Sequence, residues 1–210
     1  MMSRKGRCLF WTRLDGSVSR PWMLAGVVSF ALVSGAFAQE AAYVGNSQCK
    51  ICHKKKEEGE QWTKWKASNH AKALEALSTD AAKAAAQKKG VSKPPVEAPE
   101  CLKCHVTAYD AAKGAAPEKI VKEDGVQCET CHGPASLHTA DGKKYKSGDK
   151  SVNMAAHIVR ADEKVCAKCH NEESPTWNPE KYTSPDGKKV GFDYKQAYEK
   201  IAHPNPLKKK

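Results

Sequence analysis

Cys128-Glu129-Thr130-Cys131-His132 lies inside the stretch GVQCETCHGP, Gly125 to Pro134. Two cysteines separated by two residues can be half of a zinc ribbon, a redox dithiol or the anchor of a porphyrin. The histidine directly after the second cysteine separates these readings, because the arrangement recurs. Cys49-Lys50-Ile51-Cys52-His53, Cys101-Leu102-Lys103-Cys104-His105 and Cys166-Ala167-Lys168-Cys169-His170 repeat it without variation in spacing. Eight of the nine cysteines and four of the eight histidines are consumed in this way.

The repeated unit is the attachment signature of c-type haem. Two thiols on one turn of backbone reach the two vinyl groups of a single porphyrin, and the histidine that follows lies under the iron as its proximal ligand. A zinc ribbon pairs its cysteines but gives no reason for a histidine after every pair. A thioredoxin-like site needs one such pair on a βαβ unit, and no such unit is legible. Structural disulfides do not account for four identical short spacings. The reading is four covalent haem c groups, bound through Cys49, Cys52, Cys101, Cys104, Cys128, Cys131, Cys166 and Cys169, with His53, His105, His132 and His170 on the irons.

Each iron has a second axial position, and four histidines stand outside the motifs: His70, His138, His157 and His203. The counts match, which points to bis-histidine haems. His70 lies in WTKWKASNHAKALEAL, where Trp62, Trp65, Ala73, Leu74 and Leu77 recur at helical spacing; a surface position beside Asn69 is the alternative. Gly133 and Pro134 turn the chain just past the third motif and so present His138. His203 ends a helix capped by Asp193, with Tyr194, Ala197, Tyr198 and Ile201 on one face; a protonated histidine at a helix C-terminus is the competing role. His157 follows Met154 closely. Either could reach an iron. If neither does, one haem is five-coordinate and open to a small ligand.

The N-terminus reads as an export signal. Arg4, Lys5, Arg7, Arg13 and Arg20 precede the apolar run Trp22–Ala38, which closes in the small-x-small pattern Ala36-Phe37-Ala38. Cleavage after Ala38 removes Cys8, three methionines, five of the 35 basic residues and one of the 24 acidic ones, so the remaining polypeptide is still basic. Met154 is then the one methionine left, and His/Met ligation, which raises haem potentials, is excluded for most of the irons. Low midpoint potentials are the expectation. No later segment is long and apolar enough to span a bilayer.

Residues 39–210 read as a single domain, mainly α with extensive irregular loops: a compact multihaem cytochrome c whose haems form the core. Lysine and alanine dominate, and Leu, Ile, Val and Phe are too sparse for side-chain packing alone. Residues 57–89 read as helical with Gly90 as the stop, GVSKPPVEAPE as an extended connector, EKIVKEDGVQC as a weak strand, and residues 141–150 as a Lys/Gly loop. A short helix capped by Asp162 carries the last motif, SPTWNPEKYTSPDGKK is loop, and the Lys-rich tail is disordered.

Beyond the motifs, YVGNSQCKICH, the W…W…NHAKALEAL segment, GVQCETCHGP and the late helix ending in histidine resemble the tetrahaem cytochrome c-554 family of the hydroxylamine-oxidising pathway of nitrifying bacteria. The resemblance spans residues 43–203. It implies a mainly helical electron shuttle of the periplasm with closely packed haem pairs. His70 and His203 match the family's distal ligands, and His138 matches one that stands further from its motif. The haem lacking a distal ligand in the type member maps to His105.

The leading reading is therefore an exported, periplasmic electron-transfer protein passing electrons between redox partner proteins, and not an enzyme. A haem enzyme acting on small nitrogen compounds at a five-coordinate iron is the second reading, and a subunit of an extracellular electron-conducting filament the third. Lysine runs such as Lys54-Lys55-Lys56 and Lys143-Lys144 read as solvated faces. Haem propionates offset the positive charge, so net charge names no partner and gives no licence for nucleic-acid binding.

Overall fold

A computed structural model describes residues 39–203. The export signal and the Lys-rich tail lie outside the described residues. The elements run α1 (Asn46–His53), α2 (Gln61–Ala67), α3 (Ala73–Ala76), α4 (Asp80–Lys88), α5 (Pro99–His105), α6 (Cys128–His132), α7 (Ser136–Lys146), α8 (Glu163–Ala167), β1 (Tyr182–Thr183), β2 (Lys189–Val190) and α9 (Tyr194–Ile201), with single 3-10 turns at Lys56–Glu58, Asn69–Lys72 and Lys122–Asp124. The chain is mainly helical with long irregular connections, as the sequence suggests. Among the described residues no helix is long and apolar enough to cross a membrane.

The motifs sit on short helices for a geometric reason. Cysteine, cysteine and histidine at i, i+3 and i+4 share one helical face. α1, α5 and α6 each end on the motif histidine, and α8 ends just before Cys169. Pro99 starts α5, where its missing N–H costs nothing. Asp162 caps α8 by accepting from Val165 N at 3.1 Å, and Asp193 caps α9 by accepting from Gln196 N at 2.9 Å. Both caps are where the sequence put them.

Other expectations are corrected. Residues 57–89 are not one helix. Gly59 and Glu60 take left-handed backbone (φ 101° and 52°), and Ser68 is extended and donates its hydroxyl to Trp65 O at 2.7 Å, closing α2. The strand read over 118–128 is a 3-10 turn, and its residues pair with other segments rather than in a ladder. The segment 141–150 is not all loop, because α7 continues through Gly142 to Lys146. An Asp141–Lys144 ion pair at 3.2 Å spans that turn and offsets part of the glycine penalty of about 1 kcal/mol. The segment 174–189, read as loop, holds β1 and the first residue of β2 in a two-stranded antiparallel ribbon, with Tyr182 opposite Val190 and Thr183 opposite Lys189. The proline-rich connector is turned rather than extended.

The side-chain core is small. Leu77, Leu102 and Val106 form its centre, with Leu74, Val96, Tyr109 and Ala116 packed around them. The largest fully buried side chains are polar: Gln127 and Thr107. Thr107 Oγ1 accepts from Gln127 N at 2.6 Å and contacts Thr130 Oγ1 at 2.8 Å, while Gln127 Nε2 donates to Val121 O at 2.7 Å. A polar knot thus fixes the stretch from Gly125 to Thr130.

Gly125 is where that knot meets the 3-10 turn carrying His70. Its φ is +62°, and a Cβ there would stand 2.7 Å from His70 O. Val126 N donates to the same carbonyl at 3.0 Å, and Trp65 Nε1 donates to Val126 O at 2.8 Å. Gly125→Ala is therefore expected to cost about 2–3 kcal/mol through strain and displacement of the His70 turn. Thermal unfolding checks this, and an unchanged melting temperature would refute it.

Candidate metal centres

Three of the four motif histidines face a histidine from elsewhere in the chain. His53 and His138 stand with ring centroids 6.1 Å apart and planes 15° from parallel. His70 and His170 are 6.1 Å apart at 68°, and His132 and His203 are 5.9 Å apart at 50°. Direct ring–ring packing is one way to make such distances. A shared metal is another: two imidazoles bound from opposite sides through bonds of about 2 Å have centroids roughly 6 Å apart.

The ring nitrogens support the second account. His53 Nδ1 is 3.2 Å from Gln61 Oε1, His138 Nδ1 is 2.8 Å from Met154 O, and His132 Nδ1 is 3.0 Å from Val159 O. A backbone carbonyl requires the hydrogen on Nδ1, which leaves the Nε2 lone pair for a metal. Burial pushes the His53, His70 and His203 imidazoles below their ordinary value, so they are neutral and able to ligate near pH 7. Met154, weighed from the sequence for its sulfur, contributes its carbonyl to orienting His138.

The fourth motif histidine differs. His105 Nδ1 is 2.6 Å from Ala73 O, which fixes it in the same tautomer, yet no second imidazole is paired with it among the described residues. His157, the remaining histidine, is exposed. Its Nε2 lies 3.6 Å from Asp141 Oδ2 of α7.

The thiols bring the motifs together. Cys49 and Cys128 hydrogen-bond to each other, which draws the Cys49 thiol below its ordinary value and raises that of Cys128. Cys104 and Cys169 do the same; the bond holds Cys104 down at about 7 and lifts Cys169. Burial raises the Cys131 thiol, and the nearby Cys166 adds to the shift. In space the motifs therefore follow the order first, third, fourth, second. No group of three or more His, Cys, Asp or Glu side chains converges on one metal position among the described residues, so the pairs do not assemble a zinc ribbon.

The residues fit haem c. All eight motif cysteines are free thiols, each site presents Cys, Cys and His on one face, and three sites present a second imidazole at the required distance. Asn46 gives an independent sign. It is 4% exposed, its Oδ1 accepts from Cys128 N at 3.4 Å, and its buried Nδ2 has no protein partner. A buried amide donor without an acceptor costs about 1–3 kcal/mol, and a haem carboxylate would satisfy it.

Sequence reasoning missed Glu129. It occupies a variable position inside the third motif, where a solvent-exposed side chain is the ordinary expectation, yet it is 3% exposed. Its carboxylate accepts from Val44 N at 2.9 Å, Gly45 N at 2.7 Å and Ala135 N at 2.9 Å. The available signal was an acid where the other three motifs carry only lysine and apolar residues.

Residues 48–133 match the family described as cytochrome c554 and c-prime. Cytochrome c-554 of Nitrosomonas europaea is 32% identical over 169 residues, covering 73% of this chain and 69% of that protein. The solved structure of reduced cytochrome c554 from Nitrosomonas europaea matches with a TM-score of 0.44 at 26% identity, covering 78% of this chain and 79% of that one.

Proposed function

Since the chain belongs to the cytochrome c-554 family and is a multihaem electron-transfer cytochrome, we propose that it carries four haem c groups and relays electrons between redox partner proteins in the periplasm. The observation that carries this reading is the set of three histidine pairs at 5.9–6.1 Å, each made of one motif histidine and one distant histidine. Bound haem supplies a one-electron ferric/ferrous couple. The chain's own residues do the rest. Cys49 and Cys52, Cys101 and Cys104, Cys128 and Cys131, and Cys166 and Cys169 anchor one porphyrin each. His53 with His138, His132 with His203, and His170 with His70 would hold three irons between them, and His105 would hold the fourth without a second imidazole. Gln61 and the carbonyls of Ala73, Met154 and Val159 orient the imidazoles.

The neighbouring cysteines of different motifs support close spacing of the attached groups, which relay requires. Histidine on both faces, without a methionine sulfur, supports low potentials. A second reading rests on His105 alone. An iron with one protein ligand can take a small nitrogen compound and act on it.

Spectroscopy separates these readings. The pyridine haemochrome of the purified protein is expected to give four haems per chain, with three low-spin and one high-spin ferric component. Carbon monoxide is expected to shift one haem of the reduced protein. Fewer than four haems refutes the proposal, and four low-spin haems blind to carbon monoxide refutes the open position at His105. Turnover of nitric oxide, nitrite or hydroxylamine that is lost when carbon monoxide blocks that haem would favour the second reading.

A further inference from the structure

We propose that Glu129 sets redox potential: its buried carboxylate is a fixed negative charge shared by the first and third attachment sites, and it lowers the reduction potential of both. The inference rests on the reading that the first and third motifs carry haem.

The carboxylate belongs to both sites by its contacts. Glu129 stands between Cys128 and Cys131 of the third motif. Its oxygens are bound by the peptide N–H groups of Val44 and Gly45, which lead directly into α1. Gly45 O in turn accepts from Cys49 Sγ at 3.7 Å, and Asn46, the first residue of α1, bonds Cys128 N through its side chain. Gln127 Oε1 closes the joint by accepting from Asn46 N at 3.3 Å. The charge therefore lies at the seam where the anchors of two sites touch.

No cation among the described residues is paired with it. Its donors are peptide dipoles, which hold and solvate a carboxylate but leave its charge in place. At 3% exposure water screens it poorly, so its field reaches neighbouring groups more strongly than that of a surface acid. Reduction adds an electron to the metal centre, and a nearby unscreened anion makes that addition harder.

The other motifs make the contrast. Their variable positions hold Lys50 and Ile51, Leu102 and Lys103, and Ala167 and Lys168, with every lysine exposed to water. A structural clamp alone would not need a full charge, since the lead-in is also tied by neutral bonds such as Ala42 N to Ser136 Oγ at 2.8 Å.

Spectroelectrochemical titration of the haem-loaded protein tests this. Glu129→Gln is expected to raise two of the four midpoint potentials while leaving the other two in place. A tenfold change in the reduced-to-oxidised ratio corresponds to about 59 mV for a one-electron couple, and a shift of that order is expected at each of the two. Ser136→Ala, which cuts the neighbouring lead-in bond without changing charge, is expected to leave all potentials alone. Glu129→Asp keeps the charge but shortens its reach; it is expected to lower the melting temperature and hold the potentials near those of the parent. Unchanged potentials in a four-haem Glu129→Gln protein overturn the inference. So does a rise in Glu129→Asp or Ser136→Ala that tracks lost stability, including when Glu129→Gln does not assemble. A parent protein with fewer than four haems overturns the underlying haem reading instead, and haem content measured beside the potentials keeps the two failures apart.

Discussion

A chain carrying Cys128→Ser together with Cys131→Ser is expected to bind three haems at most and to lose cooperative folding. The third site is the hinge of the arrangement. Cys128 interacts with Cys49 of the first motif, Cys131 lies near Cys166 of the fourth, and His132 is paired with His203 just past α9. The polypeptide has little with which to replace a haem there. Its apolar centre is Leu77, Leu102 and Val106, on the side of the second motif, while the interior around the third motif is the polar knot of Asn46, Thr107, Gln127 and Glu129. Hydrogen bonds inside such a knot add only about 1 kcal/mol each over their solvated counterparts. A small domain has roughly 5–15 kcal/mol of total stability. Losing one large apolar porphyrin, two covalent anchors and a long-range axial pair removes most of that. Haem content together with the cooperativity of thermal unfolding measures the outcome. A well-folded three-haem protein with the parental melting temperature would show that side-chain packing carries this fold, and the account of its stability would fail.

The difference between what was readable in the sequence and what was not follows from contact range. The four motifs were legible because their chemistry is local: i, i+3 and i+4 make one helical face wherever the helix goes. Asp162 and Asp193 were legible as caps, and Gly90 as a stop, for the same reason. The partner of each motif histidine was not legible. His53 meets His138, and His170 meets His70, only after the chain has folded back over 85 and 100 residues, and no periodicity encodes that. Single breaks were also hidden. Gly59, Glu60 and Ser68 divide a segment whose alanine and lysine content reads as continuous helix. The reverse error occurred at Gly142, where one glycine amid lysines suggested a loop although α7 runs through it, with the Asp141–Lys144 pair offsetting part of the cost. Glu129 was invisible because an acid in a polar stretch is ordinarily solvated; only the three backbone donors arriving from residues 44, 45 and 135 explain its burial.

His203→Ala is expected to keep all four haems covalently attached, turn one low-spin haem high-spin, and free the C-terminal helix. Attachment depends on Cys128 and Cys131, which the substitution does not touch. The spin state depends on the second imidazole, and His203 is the ring that faces His132, at 5.9 Å. The helix depends on it as well. α9 buries no residue completely, and its tertiary bonds include Tyr194 Oη to Ala161 O at 3.3 Å and Gln196 Nε2 to Thr183 O at 2.8 Å. An axial bond from residue 203 to the iron over His132 would close a loop of about 70 residues, and chain entropy assigns a cross-link of that length about 4 kcal/mol. Its loss should appear as faster proteolysis within 193–203 and faster amide exchange along α9, with the earlier helices unaffected. The alternative role, a protonated histidine on the helix C-terminus, fits poorly with a ring that burial and His132 hold below its ordinary value. It also predicts a different result: stabilisation of about 0.3–2 kcal/mol and no spectral change. Three low-spin haems, as in the parent, with an unchanged cleavage pattern in His203→Ala would establish that role and leave the third iron in need of another ligand.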